Sequence, residues 1–127
     1  MRGFRLAAAA LAVFLLCACG KQVKNYRIYD DLIVSFTEAL GDRTLVEEKL
    51  IKSDDGRRII EASYTYKSKK ADEDKENYLY YLLNNNEAAF IGDEVVAFDS
   101  KDFGYAIVVK TSSEDGKFTI NLTREER

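Results

Sequence analysis

The sequence contains no histidine, no tryptophan and no proline, and it has only two cysteines and one methionine. Histidine is the commonest general base and a common metal ligand, so its absence disfavours acid–base catalysis and metal chemistry. The net charge is −3, whereas a nucleic-acid binder needs a basic patch that releases counterions. We therefore expect no cofactor, no metal site, no catalytic residue and no nucleic-acid partner.

The length and the hydrophobic content of the chain are those of a folded domain. A length of 127 residues fits one domain, and 46% hydrophobic and 12% aromatic content is too high for a disordered chain.

A basic start followed by an apolar run opens the chain. Arg2 and Arg5 are its first charges, and residues 6–16 are then all apolar. This order is typical of an export signal. The run has eleven residues, fewer than the roughly 20 that a membrane-spanning helix requires.

The apolar run ends in Leu16-Cys17-Ala18-Cys19-Gly20. This stretch resembles the lipobox of bacterial lipoproteins, with Leu three residues before a Cys and a small residue directly before it. The resemblance covers residues 1–20 only. It implies cleavage between Ala18 and Cys19, a diacylglycerol on the Cys19 sulfur, and a domain that faces outward from the cell membrane. Cys17 is the rival lipid acceptor, but the bulky Leu16 would then precede the cleavage point.

Two other interpretations of this segment stay open. Ala18 could mark the cleavage site of an ordinary secreted protein, or the segment could be kept as an uncleaved signal anchor. On the lipoprotein interpretation, residues 1–18 are the signal peptide, 19–25 a lipidated membrane-proximal linker and 26–127 a single domain. Two acyl chains on one cysteine meet the requirement for stable membrane attachment.

A helix is predicted over residues 26–40, because apolar residues recur there at spacings of three and four: Tyr29, Leu32, Ile33, Phe36 and Leu40. A second helix is predicted over 72–84, where acidic residues in the first turn suit the helix dipole. Residues 87–91 are ambiguous.

Two Asp-Gly pairs predict hairpin turns, at Asp55-Gly56 between runs 44–52 and 57–67, and at Asp115-Gly116 between runs 104–111 and 117–123. With a short strand over 94–98, the predicted order is α-β-β-α-β-β-β. This order predicts a two-layer α+β domain, in which two helices cover one face of an antiparallel sheet. The matching turns indicate either a distant duplication or simply the common way to close a hairpin.

Acidic and serine-containing clusters are the first candidates for chemistry. Asp54-Asp55 and residues 72–74 lack the ligand spacing of a calcium loop, and a turn and a helix start explain them better. Ser68-Lys69 and Ser100-Lys101 are adjacent pairs, not the spaced pair of a serine–lysine catalyst. A hydrolase that uses two carboxylates ranks last.

Eight tyrosines are a high number for a chain of this size. Tyr64 and Tyr66 share one strand face, where they either fill the core or form a binding platform. Tyr80 lies off the apolar stripe of the second predicted helix, so we take Tyr80, with Tyr81 beside it, as the candidate partner contact. We therefore expect a non-enzymatic domain that binds an envelope protein. The alternative is capture of a small ligand or glycan by a Tyr-rich surface.

The lipobox interpretation predicts the outcome of two serine substitutions. Cys19→Ser removes the lipid acceptor, so it should abolish metabolic labelling with a fatty acid and release the chain from membranes. Cys17→Ser is the matched control and should change neither result. Labelling that persists in the Cys19→Ser variant would move the acceptor to another residue.

Overall fold

The computed structural model describes residues 14–16 and 23–127. Within them, the strands are β1 (Phe14–Leu16), β2 (Asn25–Ile28), β3 (Asp31–Val34), β4 (Thr44–Lys52), β5 (Ile59–Lys67), β6 (Ala89–Gly92), β7 (Val95–Asp99), β8 (Tyr105–Glu114) and β9 (Lys117–Glu126). The helices are α1 (Phe36–Ala39) and α2 (Ala71–Asn85). The predicted cleavage and lipidation positions, Ala18 and Cys19, lie outside the described residues.

A seven-stranded sheet forms the centre of the described chain, in the order β1-β4-β5-β9-β8-β7-β6. Every neighbouring pair in it is antiparallel. Strands β2 and β3 form a separate hairpin. The predicted α+β class with an antiparallel sheet is therefore confirmed.

The predicted helix over 26–40 is wrong. Its first part is the β2–β3 hairpin, and only the short helix α1 follows, capped by the Ser35 hydroxyl. Burial alternates along the hairpin: Tyr26, Ile28 and Ile33 are buried, whereas Leu32 is 56% exposed. The local sequence fits a helix as well as it fits a strand. The buried contacts of Tyr26 with the main sheet favour the strand. The predicted order with two covering helices is therefore replaced by one long helix and a hairpin.

The other predicted elements are present, some with longer bounds. Helix α2 occupies the second predicted helix, and both Asp-Gly pairs close antiparallel hairpins. Gly56 and Gly116 have φ angles of 72° and 74°, and Asp115 also has a positive φ. These are the left-handed conformations that such turns require. The ambiguous stretch contains the start of β6.

Helix α2 and the β2–β3 hairpin lie side by side on one face of the sheet, with α2 against β8 and β9 and the hairpin against β5. The residues that fill the space beneath them are the large fully buried side chains, among them Tyr26, Phe36, Tyr66, Tyr78 and Phe118. The core is therefore unusually rich in aromatic rings, which stack or meet edge to face.

Hydrogen bonds between tyrosine hydroxyls and their partners join these layers. The Tyr26 hydroxyl lies 2.7 Å from that of Tyr66 and accepts the N–H of Phe36 at 3.0 Å. The Tyr78 hydroxyl of α2 donates to the Val34 carbonyl at 2.7 Å. Burial raises the pKa of Tyr26, and it raises the pKa of Tyr66 to about 12. The buried hydroxyls therefore stay protonated and uncharged.

A buried ion pair fixes the start of α2. Asp74 is 3% exposed and receives two hydrogen bonds from Arg43, at 2.7 and 3.0 Å, and one from the Ser68 hydroxyl. Burial by itself would raise the pKa of Asp74, but the hydrogen bonds from Arg43 and Ser68 hold it below its ordinary value. The charged carboxylate therefore connects α2 to the segment before β4 and to the end of β5.

Alanine at the two turn glycines should destabilise the fold. In Gly56→Ala and Gly116→Ala the new Cβ has room but the positive φ is strained, so each should cost about 1 kcal/mol of unfolding free energy. Urea unfolding of the full chain in detergent measures this. Gly92→Ala is the control, since Gly92 is outside the positive-φ region and its Cβ would make only ordinary contact. Equal stability of all three variants would contradict the turn assignment.

Candidate functional site

The structure separates the two tyrosines that were predicted as partner contacts. Tyr80 is 54% exposed, and its ring meets the ring of Phe90 edge to face, with centroids 6.0 Å apart. Tyr81 is only partly exposed and stacks on the buried Tyr78 at 6.5 Å. Tyr80 is therefore available to a partner, whereas much of Tyr81 packs against the core.

The exposed rings of Tyr80 and Phe90 are in contact, and the exposed Ile91 follows Phe90 in the same strand; we call these three apolar residues the edge patch. Phe90 is 48% and Ile91 is 61% exposed. Both belong to β6, the last strand of the sheet, in which all four residues are exposed. The outer side of β6 pairs with no other strand in the described part of the chain. The edge patch thus combines apolar side chains with unpaired backbone N–H and C=O groups.

Three exposed carboxylates lie close in sequence to the residues of the edge patch. Glu76 lies one helical turn before Tyr80 on the exposed face of α2, and Glu87 and Asp93 flank β6. Within residues 23–127, no ion pair is formed by any of these three side chains. Glu94 is partly neutralised, because it forms an ion pair with Lys75. The patch therefore has a net negative rim.

A second site lies at the turn of the β2–β3 hairpin, around Arg124 of β9. The Arg124 guanidinium is sandwiched between two aromatic rings, 3.9 Å from the centroid of Tyr29 and 3.5 Å from that of Tyr105. Beside it is a cavity of about 230 Å³, which Arg58 and Asp102 also line. We call this cavity the Arg124 pocket.

Backbone strain accompanies this pocket. Tyr29 has a φ of 52°, which is unusual for a bulky residue, and its N–H donates to the Ile59 carbonyl at 2.9 Å. Strain of this kind costs about 1–3 kcal/mol and persists where the surroundings impose it. Here it places the Tyr29 ring over Arg124.

The other predicted candidates have structural roles. Asp55 accepts hydrogen bonds from Ser53 and from the Arg57 N–H, which lower its pKa and stabilise the turn. Asp72 accepts a hydrogen bond from Ser113. The serines that precede lysines, Ser68 and Ser100, donate to Asp74 and Asp31. No cluster of three or more potential metal ligands is found among the described residues.

Tyr64 and Tyr66 belong to the core. They are 3% and 1% exposed, and Tyr64 stacks on Tyr26 with centroids 4.2 Å apart. Burial raises the pKa of Tyr64 above its ordinary value, and the nearby Glu48 carboxylate raises the pKa further. These two rings therefore do not contribute to a surface platform.

Comparison of the chain with protein-family models, with curated proteins and with solved structures finds no match. Neither described helix has the length and apolar character needed to span a bilayer.

The sequence reasoning did not single out Phe90, Ile91 or Arg124. The first two fall in the stretch without clear periodicity. For Arg124 a signal existed: Phe118, Ile120 and Leu122 alternate inward, and the next position on that face is 124. A cation at an inward position requires partners, so it marks a site worth locating.

Truncation of Tyr78 should lower the stability of the fold much more than truncation of Tyr80. Tyr78→Ala removes a fully buried ring and should lower the unfolding free energy by about 3 kcal/mol or more. Tyr80→Ala removes an exposed ring and should cost less than about 1 kcal/mol. Urea unfolding of the full chain gives both values. A loss for Tyr80→Ala as large as that for Tyr78→Ala would place Tyr80 in the core.

Proposed function

We propose that the chain is a bacterial lipoprotein anchored through Cys19, and that its domain is a non-enzymatic module that binds an envelope protein through the edge patch. The anchor part of this proposal depends on the order of charge, apolar run and lipobox in residues 1–20. The binding part depends on one observation: three large exposed apolar side chains coincide with an unpaired sheet edge. Such exposed apolar groups commonly mark interaction sites.

The partner that fits this surface is an extended, positively charged segment of another protein. An extended segment can add a strand beside β6, where main-chain hydrogen bonds supply affinity and side-chain contacts supply specificity. Tyr80 and Phe90 offer rings on which apolar or cationic side chains can pack. The carboxylates of Glu76, Glu87 and Asp93 favour a cationic partner and disfavour an acidic one.

The opposite end of the sheet is less suited to strand addition. Strand β1 covers the β4 edge in the described chain, and cleavage after Ala18 would remove β1. Strand β4 carries Lys49 and Lys52 and has a bulge near Leu45. Charged residues and bulges are the means by which proteins protect sheet edges. Strand β6 has no charged residue, so it is the more favourable edge.

Small-ligand or glycan binding by a Tyr-rich surface is the weaker proposal. A platform of this kind needs several exposed rings, but Tyr64 and Tyr66 are buried and Tyr81 is partly buried. Of these four tyrosines, Tyr80 is the most exposed.

Photo-crosslinking in cells tests the protein-binding proposal on the full chain. A photoreactive phenylalanine analogue at position 90 should give a discrete adduct with one protein. The same analogue at position 32 is the matched control, because Leu32 is also apolar and about half exposed but lies on the β2–β3 hairpin. Equal adducts from both positions would contradict a specific role of the edge patch.

A pair of substitutions at Ile91 then tests the charge of the partner segment. Ile91→Lys and Ile91→Glu remove the same apolar side chain, but only the lysine opposes a cationic partner. We expect the adduct formed by the analogue at position 90 to be lost when Ile91→Lys is added. Ile91→Glu should reduce the yield of that adduct to a smaller extent. The reverse order would indicate an acidic partner, and equal yields would indicate that charge plays no part.

A further inference from the structure

The Arg124 guanidinium is almost completely removed from water, yet one of its donors is unused. The side chain is 9% exposed, and the buried Nε has no hydrogen-bond partner among the residues that the structure describes. A buried donor that lacks a partner costs about 1–3 kcal/mol, and more for a charged group. The two flanking tyrosine rings favour the cation but accept no conventional hydrogen bond in its plane. The arrangement is therefore complete in its stacking and incomplete in its hydrogen bonding.

Within residues 23–127, Arg124 forms its ion pair with Asp102 and with no other carboxylate. Its Oδ2 atom lies 2.6 Å from Nη2 of Arg124, and its side chain is 64% exposed. The exposed carboxylate keeps much of its hydration, so it can give way to another anion, whereas leaving the buried guanidinium with no anion at all would be costly. Asp102 thus occupies the place of an exchangeable anion.

The charges that line the pocket balance, with three cations (Arg58, Lys101, Arg124) and three aspartates (Asp30, Asp31, Asp102), so a cation is in excess around Arg124 only when Asp102 moves away. The Asp31 carboxylate accepts the Ser100 hydroxyl at 2.5 Å and the Lys101 N–H at 2.9 Å, so both of its oxygens are used within the protein. Asp30 lies 3.5 Å from Arg58. The ammonium group of Lys101 forms no ion pair within residues 23–127, although it lines the cavity.

We propose that the Arg124 pocket binds a small molecule that bears one carboxylate, which displaces Asp102 from Arg124. A carboxylate matches the fork of guanidinium N–H groups with two parallel hydrogen bonds, one of which would use Nε. Lys101 and Arg58 supply further positive charge. Three aspartates line the same cavity, so a singly charged carboxylate is favoured over a doubly charged phosphate.

The size and position of the pocket fit this ligand class. A cavity of about 230 Å³ is below the usual range of about 300–1,000 Å³ for drug-sized ligands, and Tyr29 adds an aromatic wall. Asn25, where the chain enters the domain from residues 19–24, lies at the other end of the β2–β3 hairpin from Tyr29. The lining of the pocket includes none of Tyr80, Phe90 and Ile91, so the pocket is separate from the edge patch and does not depend on the role proposed for it.

Titration of the isotopically labelled full chain in detergent tests the proposal. The probe is benzoate, a monocarboxylate, and the readout is the nuclear magnetic resonance signal of the Arg124 Nε–H group. Benzoate should shift this signal saturably, while its neutral isostere benzamide and inorganic phosphate should shift it much less. The absence of a saturable benzoate shift would overturn the proposal. A stronger phosphate shift would overturn the preference for a monocarboxylate.

Asp102 and Lys101 are exposed, so substitutions there change the site without disturbing the packing of the core. Asp102→Asn removes the internal competitor and should tighten benzoate binding about tenfold, the effect of about 1.4 kcal/mol. Lys101→Gln should weaken binding severalfold, because it removes a cation and keeps the backbone donor to Asp31. Lys117→Gln, at the exposed first residue of β9, is the control and should leave binding unchanged. Unchanged or weaker binding in Asp102→Asn would contradict the displacement of Asp102.

Discussion

The structure depends on the need to satisfy tyrosine hydroxyls that are buried inside its core. Each hydroxyl without a partner would cost about 1–3 kcal/mol, so each ring specifies where the neighbouring element must lie. Tyr26 joins the hairpin to β5 through Tyr66 and to α1 through the Phe36 N–H. Tyr78 joins α2 to the end of β3. Apolar rings of the same size would bury similar area but would not fix these positions.

Both surface sites inherit their geometry from this network. Residues two positions apart on a helix point in directions about 200° apart, so burying Tyr78 turns Tyr80 outward toward Phe90. Tyr29 follows three residues after Tyr26, at the end of the strand that Tyr26 holds against the sheet. The position of the hairpin therefore decides where the Tyr29 ring meets Arg124.

Local signals were sufficient for part of this fold. The Asp-Gly turns and α2 each depend on residues close together in sequence, and both were predictable from turn chemistry and periodicity. Residues 25–40 were not, because apolar spacings of three and four over a short segment coexist there with the alternation of Tyr26 and Ile28. The deciding contacts of Tyr26 come from residues 10 and 40 positions away. No local pattern reports such contacts.

The two surface sites were also predictable only in part. The position of Tyr80 off the apolar stripe indicated exposure, which the structure bears out. Phe90 and Ile91 become a patch only because β6 ends the sheet, and that is a property of strand order. Arg124 lies one residue beyond the predicted end of its strand, at 123. Its two ring partners come from β8 and from the mispredicted hairpin, so the sandwich could not be anticipated.

The separate pairing of the hairpin also has a mechanical consequence. A pull on the chain before Asn25 first reaches β2, whose strand partner is β3 and not a member of the main sheet. The load then passes to the rest of the molecule largely through the packed rings of Tyr26 and Phe36 and the hydrogen bonds of the Tyr26 hydroxyl. Tension applied at that end would therefore peel the hairpin away before it disturbed the long ladders of β5, β9 and β8, and would uncover the aromatic core from one side.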